Sequence, residues 1–131
     1  MAHILSIDPF NRESGPGIRV LIILSNKECN DISTNDLLNE IRKYRHYIEQ
    51  DNGGVTFSGN IKDNKKFLED ICILCHKSNI KTCIEIKTSE YNIIHSFLKY
   101  IDFLIIHNDN SNSIDIVIQS LDNRKIQYLI K

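Results

Sequence analysis

The chain has 131 residues, enough for one domain with a single hydrophobic core and no need of disulfides or metals to hold it. Hydrophobic residues make up 41% of it and charged residues 25%, as in an ordinary globular protein. The 16 basic and 17 acidic residues give a formal net charge of −1, so the charge balance favours neither a nucleic-acid partner nor a membrane surface.

The sequence has no long uncharged apolar run, which predicts no transmembrane helix, and its first ten residues, MAHILSIDPF, lack the layout of a signal peptide. We therefore expect a cytoplasmic protein with a single domain over residues 1–131. In that compartment cysteines are reduced thiols rather than a disulfide framework. The chain has four of them: Cys29, Cys72, Cys75 and Cys83.

The first half of the chain predicts a strand, a helix and a second strand. Residues 17–25, GIRVLIILS, form a continuous β-branched and apolar run, typical of a strand covered on both faces. Residues 33–50 predict a helix, with Ser33 and Asp36 in an N-cap arrangement and an apolar face of Leu37, Ile41, Tyr44 and Ile48. Residues 53–59, GGVTFSG, predict a short strand bracketed by glycines.

The second half continues this alternation of helix and strand. Residues 63–79 predict a helix, with core spacing at Phe67, Ile71, Leu74 and Cys75. Residues 81–87, KTCIEIK, predict a strand, residues 89–101 a helix and residues 102–107, DFLIIH, a strand.

The tail after residue 112 is ambiguous. A helix suits the spacing of Ile114, Val117 and Leu121, whereas an edge strand suits the alternation of Ile126, Tyr128 and Ile130. If the tail does not cover DFLIIH, that strand presents unpaired backbone groups, and we expect self-association through this exposed sheet edge.

Strand–helix alternation predicts the fold class α/β: a parallel sheet of about four βα units, with right-handed crossovers and helices packed outside. Four units are too few to close an eight-stranded barrel, so we expect an open sheet or a partial, half TIM-barrel-like sheet. The strands are expected near residues 18–24, 55–58, 82–86 and 103–107.

Three stretches carry a resemblance to a known family: SGPGIRVLIIL (14–24), LLNEIRKYRHYIEQDNGGVTFSG (37–59) and FLEDICILCHKSNIKTCIEI (67–86). They resemble the activating enzymes of glycyl-radical enzymes, above all those of pyruvate formate-lyase, within the radical S-adenosylmethionine (SAM) family. The similarity runs from about residue 4 to the end of the chain and corresponds to the first half or so of a typical family member. The resemblance therefore implies a truncated radical-SAM-like α/β domain.

In that family a [4Fe–4S] cluster is held by three thiolates in a Cys-x3-Cys-x2-Cys loop after the first strand. The open iron of the cluster chelates SAM, which is cleaved to a radical that abstracts hydrogen from a glycine. The corresponding loop here, SNKECNDIS (25–33), is shorter and contains only Cys29. One thiolate cannot hold the cluster, so the resemblance implies that the cluster motif is lost.

The resemblance also implies lost contacts to SAM. The family follows its second strand with Gly-Gly-Glu, whereas this chain has Gly59-Asn60 and lacks the glutamate. The family's fourth strand commonly ends Asp-x-Lys, and the matching positions here hold His107 and Asp109. Only Ser58 and Gly59 are expected to remain as backbone of the SAM site. We expect no catalytic residue, no metal ligand and no cofactor.

Backbone-shaping residues of the family are kept, by contrast: Gly15, Pro16, Gly17, Arg19, Gly53, Gly54 and Gly59. Keeping the fold determinants while losing the cofactor ligands is the pattern of a non-catalytic relative. We therefore expect a partner-binding or regulatory protein, whose partner is a glycyl-radical enzyme or a second copy of the chain. Candidate partner-binding residues are Ser14, which replaces the leading Asp of the family's Asp-Gly-Pro-Gly turn, together with Gly15, Pro16, Gly17 and Arg19. The alternative is a functional part of a radical SAM activase whose missing elements are supplied elsewhere.

Other motifs have plainer explanations. CILCH (72–76) matches the Cys-x-x-Cys-His string of c-type haem attachment, and a metal site is another interpretation of Cys72, Cys75, Cys83 and His76. Their places within a helix and a strand favour small apolar core residues instead. His107 is a candidate general base, against a solvated loop histidine. GGVTFSG is a candidate phosphate cradle, although it lacks the lysine of a P-loop.

Overall fold

A computed structural model describes residues 2–26, 30–50, 52–109 and 113–131. The strands are β1 (Ala2–Asn11), β2 (Arg19–Ser25), β3 (Asn30–Ile32), β4 (Gly54–Gly59), β5 (Thr82–Lys87), β6 (Phe103–His107) and β7 (Gln127–Ile130). The helices are α1 (Thr34–Arg42), α2 (Arg45–Gln50), α3 (Lys65–Lys77), α4 (Tyr91–Ile94) and α5 (Ile114–Arg124). Short 3-10 segments span Lys62–Asn64, Thr88–Glu90 and His95–Tyr100.

The strands form one open, mixed sheet in the order β3-β1-β2-β4-β5-β6-β7. Strands β2, β4, β5, β6 and β7 run parallel to one another, whereas β1 is antiparallel to both β2 and β3. The four predicted parallel strands are confirmed, and so is the prediction of an open α/β sheet rather than a closed barrel.

The core lies on one face of this sheet, under the helices. Side chains alternate between the faces of a strand, and in β2 the buried Val20, Ile22 and Leu24 point into the core cluster. On the opposite face Cys83 and Ile105 are buried but lie outside that cluster. The helices therefore cover one face, and the other face is free to carry polar groups.

The predicted helix over residues 33–50 is interrupted. It begins as expected, because the Ser33 hydroxyl accepts a hydrogen bond from the Asp36 amide at 3.2 Å. At its end the Lys43 and Tyr44 amides bond to carbonyls only three residues back, which tightens the last turn and separates α1 from α2.

No helix in the described part of the chain is long and apolar enough to cross a bilayer.

The tail forms a helix and then the last strand of the sheet, beside β6. Residues 114–124 are helical as α5, and β7 pairs in parallel with β6, where the Lys131 amide donates to the Ile106 carbonyl at 2.8 Å. β7 therefore covers the edge of β6, as the edge-strand alternative for the tail predicted.

Candidate functional site

A polar cluster joins the carboxyl ends of three neighbouring strands on the face opposite the helices. The Ser58 hydroxyl donates to Glu85 Oε1 at 2.7 Å, and His107 Nε2 lies 3.1 Å from Glu85 Oε2. These side chains come from β4, β5 and β6, and we call them the carboxyl-edge cluster. Parallel strands bring such residues together because their carboxyl ends meet at one edge of the sheet.

Electrostatics favour an ionised glutamate in this cluster. Burial alone would raise the pKa of the Glu85 carboxyl, but hydrogen bonds from Ser58 and His107 outweigh it and hold the pKa below its ordinary value. A carboxylate of lowered pKa is a weak general base, and Ser58 contacts this carboxylate rather than the imidazole. The arrangement orients polar groups and does not form a nucleophile–histidine pair.

Gly59 and Asn60 shape the turn that follows β4. Gly59 has φ of +90°, and a Cβ there would lie 2.3 Å from the Leu24 carbonyl oxygen, so only glycine fits. The Asn60 amide donates to that same carbonyl at 2.9 Å, and the Asn60 side-chain oxygen accepts from the Asp63 amide at 2.9 Å. Asn60 therefore closes an Asx-type turn into α3 instead of presenting a carboxylate.

His107 ends β6, and Asp109 lies two residues beyond it. Asp109 Oδ2 accepts from the Ser89 hydroxyl at 2.6 Å and from the Ser89 amide at 3.3 Å. The Asp109 carboxylate thus ties the loop after β6 to the loop after β5. His107, by contrast, joins the carboxyl-edge cluster through its contact with Glu85.

The Gly-Pro-Gly turn is anchored at the opposite, amino-terminal edge of the sheet by Arg19. This residue is only 2% exposed, and its guanidinium donates to Thr56 Oγ1 at 2.7 Å, to the Pro16 carbonyl at 2.8 Å and to the Val55 carbonyl at 3.0 Å. Burial lowers the pKa of the guanidinium from its ordinary value, although the Cys83 and Asp102 side chains partly oppose this. A Cβ on Gly54 would lie 2.9 Å from Arg19 Nη2, so glycine makes room for the arginine.

The candidate partner-binding residues of the turn therefore divide by exposure. Ser14 is 6% exposed and Arg19 is buried, whereas Pro16 is exposed. Thr56 Oγ1 donates to the Ser14 carbonyl at 2.7 Å, which fixes the turn to β4. The Ser14 hydroxyl, by contrast, has no hydrogen-bond partner within the described part of the chain. A partner can contact Pro16 directly. Ser14 and Arg19 would affect such binding only by fixing the conformation of the turn.

The described cysteines do not fit an iron–sulfur cluster. Cys72 and Cys75 are fully buried in the core cluster on α3, and Cys83 is fully buried on the other face of the sheet. Burial raises the pKa of Cys75 to about 12, that of Cys83 to about 11 and that of Cys72 well above its ordinary value. Cluster ligation needs converging thiolates, whereas these thiols are kept protonated and point to opposite faces. Cys29 lies outside the described residues.

The haem and metal interpretations of the CILCH motif gain no support from this geometry. Cys72 and Cys75 pack inside the core, as small apolar helix residues would, and the His76 ring packs edge-on against Tyr100 at 5.5 Å between centroids. Across the described ranges, no three Cys, His, Asp or Glu side chains are grouped to hold a metal ion.

Comparison with curated proteins finds similarity to enzymes of one name. The chain is 27% identical to the pyruvate formate-lyase-activating enzyme of Clostridium pasteurianum, over 81% of this chain and 52% of that protein. It is 26% identical to the enzyme of that name from Staphylococcus epidermidis and 23% identical to that of Staphylococcus aureus, in each case over 94% of this chain and 55% of the relative. The chain is thus similar to the pyruvate formate-lyase-activating enzymes over most of its own length. No family model matches it.

This relationship confirms the resemblance that the sequence motifs carry. The chain spans about half the length of the pyruvate formate-lyase-activating enzymes it matches. Sequence reasoning found Ser58 and His107 but missed Glu85, which joins them, and Thr56, which holds the turn. A charged residue within the apolar strand KTCIEIK was the available signal for Glu85, because a carboxylate in a covered strand needs hydrogen-bond donors.

Proposed function

We propose that this chain is a non-catalytic relative of the glycyl-radical-enzyme activating enzymes, which keeps their fold and binds a protein partner. The observation that carries the proposal is the position of the described thiols, which are buried on opposite faces of the sheet. Thiols held on opposite faces of a sheet do not converge on the iron–sulfur cluster that radical chemistry requires.

The rest of the site supports the proposal. Asn60 uses its side chain to close a turn, and Asp109 uses its carboxylate to bind Ser89, so neither is free to replace a lost SAM contact. Each missing charge-assisted hydrogen bond typically removes about 1.5–3 kcal/mol of binding free energy. Loss of several such bonds removes useful affinity for SAM at the family's site.

Anaerobic reconstitution with iron and sulfide tests the non-catalytic proposal. We expect colourless protein without stoichiometric iron, and no heat of SAM binding by calorimetry at micromolar concentration. Brown protein with about four irons per chain, or micromolar SAM binding, would support the alternative: a functional part of an activase that installs a glycyl radical. In that case a separately supplied second half should restore SAM cleavage.

Partner binding is tested with a pyruvate formate-lyase, because the relatives are named for activating that enzyme. Sedimentation velocity of the mixture should show a complex, and Pro16→Ala should weaken it, because Pro16 is the exposed member of the anchored turn. The matched control is Ile116→Ala, which removes an apolar side chain 70% exposed on α5. Independent sedimentation of the two proteins would leave self-association through a sheet edge as the binding mode to test, by sedimentation of the chain alone.

A further inference from the structure

A cavity of about 400 Å³ opens at the amino-terminal edge of the parallel strands, away from the carboxyl-edge cluster. Arg19 at the start of β2, Lys81 before β5 and Lys125 before β7 all line it. Asp102 is its acidic lining residue. We call this space the arginine cavity.

The charge on Arg19 is buried without a carboxylate contact of its own. Its three hydrogen bonds go to a threonine hydroxyl and two backbone carbonyls, all of them neutral. A guanidinium has five N–H donors, so two remain for another acceptor. Within the described part of the chain Arg19 makes no ion pair, and a buried charge is costly unless it is compensated.

Asp102 is already occupied by other groups. Its Oδ2 accepts from the Thr82 amide at 2.9 Å, and its Oδ1 lies 3.9 Å from Lys81 Nζ. The side chains around the arginine cavity therefore carry three positive charges and one negative charge. This imbalance favours an anionic ligand, since a cavity lined by one sign of charge concentrates the opposite ion.

Lys125 gives a second, independent observation. It ends α5 with φ of +58°, a left-handed conformation that glycine adopts readily and that a lysine side chain disfavours. The fold therefore keeps an unfavourable residue at a position where glycine would stabilise the helix end. The lysine places a further cation on the rim of the arginine cavity.

We propose that the arginine cavity binds a small phosphate-type oxyanion, with Arg19 at its base and Lys81 and Lys125 at its rim. Two phosphate oxygens can accept from the planar fork of N–H donors on a guanidinium, and the remaining oxygens can accept from ammonium groups. Pro16, the proposed partner contact, also lines the arginine cavity, so the two proposals share the amino-terminal edge of the sheet. Phosphate binding does not depend on the partner, because the isolated chain carries the whole cavity.

Phosphate binding is tested on the full chain by thermal unfolding and by amide chemical shifts. Inorganic phosphate should raise Tm relative to sodium chloride of equal ionic strength, and should shift the amides of Thr82 and Phe103. Glycerol phosphate, tested in parallel, distinguishes free phosphate from a phosphate ester as the ligand source.

The decisive variant is Lys125→Gly, because Arg19 substitutions threaten the fold itself. Without phosphate this variant should have a higher Tm than the parent, since glycine relieves the left-handed backbone. It should nevertheless bind phosphate about tenfold more weakly, the effect expected for one lost charge-assisted contact.

Lys66→Gln is the matched control, because it removes the same charge from an exposed position on α3. It should leave phosphate affinity unchanged. The proposal is overturned if phosphate and chloride act alike on the parent, if Lys125→Gly binds phosphate as well as the parent, or if Lys66→Gln weakens binding equally.

Discussion

Thr56 links the Gly-Pro-Gly turn to Arg19 at the amino-terminal edge of the sheet through its side-chain hydroxyl. It donates to the Ser14 carbonyl and accepts from Arg19 Nε, both at 2.7 Å, in a fully buried position. This hydroxyl therefore both donates and accepts, whereas the nearby Ser14 hydroxyl has no partner in the part of the chain that the structure describes. These two hydroxyls should respond oppositely to removal.

We predict that Ser14→Ala raises the free energy of unfolding by about 1 kcal/mol, because it removes an unsatisfied buried hydroxyl. Thr56→Val should lower it by at least about 2 kcal/mol, because the Arg19 donor and the Ser14 carbonyl lose their partner. Urea unfolding followed by circular dichroism measures both. A destabilised Ser14→Ala variant would mean that its hydroxyl has a partner, such as ordered water.

Glu85 makes the stability of the chain depend on pH. Its folded pKa is lowered from the ordinary value of 4.5, so the stabilisation that it contributes is fully present above that pH and is lost as pH falls through the folded pKa. Glu85→Gln should therefore flatten the loss of unfolding free energy on acidification from neutral pH to below 4.5. Glu69→Gln on α3, outside the carboxyl-edge cluster, is the control. Equal acid sensitivity of the parent and Glu85→Gln would contradict this assignment.

The sequence predicted the residues of the carboxyl-edge cluster only in part. Ser58 was recognisable from the family resemblance and His107 from its place at a strand end, and the structure puts both at the carboxyl edge. The bond between Ser58 and Glu85 joins residues 27 positions apart, and it depends on the register of β4 against β5. That register is a tertiary property that side-chain periodicity does not encode.

Among the elements, the parallel strands were predictable and β1 was not. Continuous apolar runs are typical of parallel strands, although helices cover only one face of this sheet and Leu21 and Ile23 of β2 are half-buried. In β1 the pairing with β2 shifts register between Ile4 and Ser6 and again between Asp8 and Asn11. Such bulges break the two-residue period by which a strand is recognised. Leu5 and Phe10 are 60% and 53% exposed, so burial does not restore the pattern.

The tail could not be assigned to one element because both periods are present in it. The structure uses them in turn, with Val117 and Leu121 buried on α5 and Tyr128 and Ile130 half-buried on β7. The helix ends at Lys125, whose backbone amide donates to the Asp122 and Leu121 carbonyls. A left-handed lysine is a rare helix end, which is why sequence reasoning did not place the boundary.

Removing β7 should uncover the edge of β6. We predict that a variant lacking residues 126–131 sediments as dimers or larger species at tens of micromolar, because β6 then presents unpaired backbone groups beside exposed apolar surface. Leu129→Lys is the control, since it keeps the strand and removes only a side chain that is 47% exposed. A folded, monomeric deletion variant would show that the β6 edge does not drive association.

On the scale of the whole molecule, the one-sided helix layer separates the cysteines into two environments. Cys72 and Cys75 lie between helix and sheet, and Cys83 lies under the Gly-Pro-Gly turn, where a Cβ on Gly15 would be 3.6 Å from its sulfur. Thiolates are the reactive form, and burial raises the pKa of all three thiols. Their chemical reactivity therefore reports opening of the structure.

We predict that in a Cys29→Ser background these three thiols react with a disulfide reagent only as fast as the protein unfolds. Increasing urea should raise the labelling rate in parallel with unfolding. Mass spectrometry of the labelled peptides separates Cys83 from the α3 pair. Rapid labelling of Cys83 alone would mean that the turn opens independently of the helix-covered core.

The order of the strands in the sheet has a kinetic consequence. From β5 onward, each strand pairs with the strand that precedes it in the chain, and β4 pairs with β2 across the short β3. Each crossover therefore closes a loop of one βα unit, and loop-closure entropy rises only slowly with such lengths. A nascent chain can add its strands in the order in which the ribosome delivers them, extending the sheet one unit at a time from β2 toward β7.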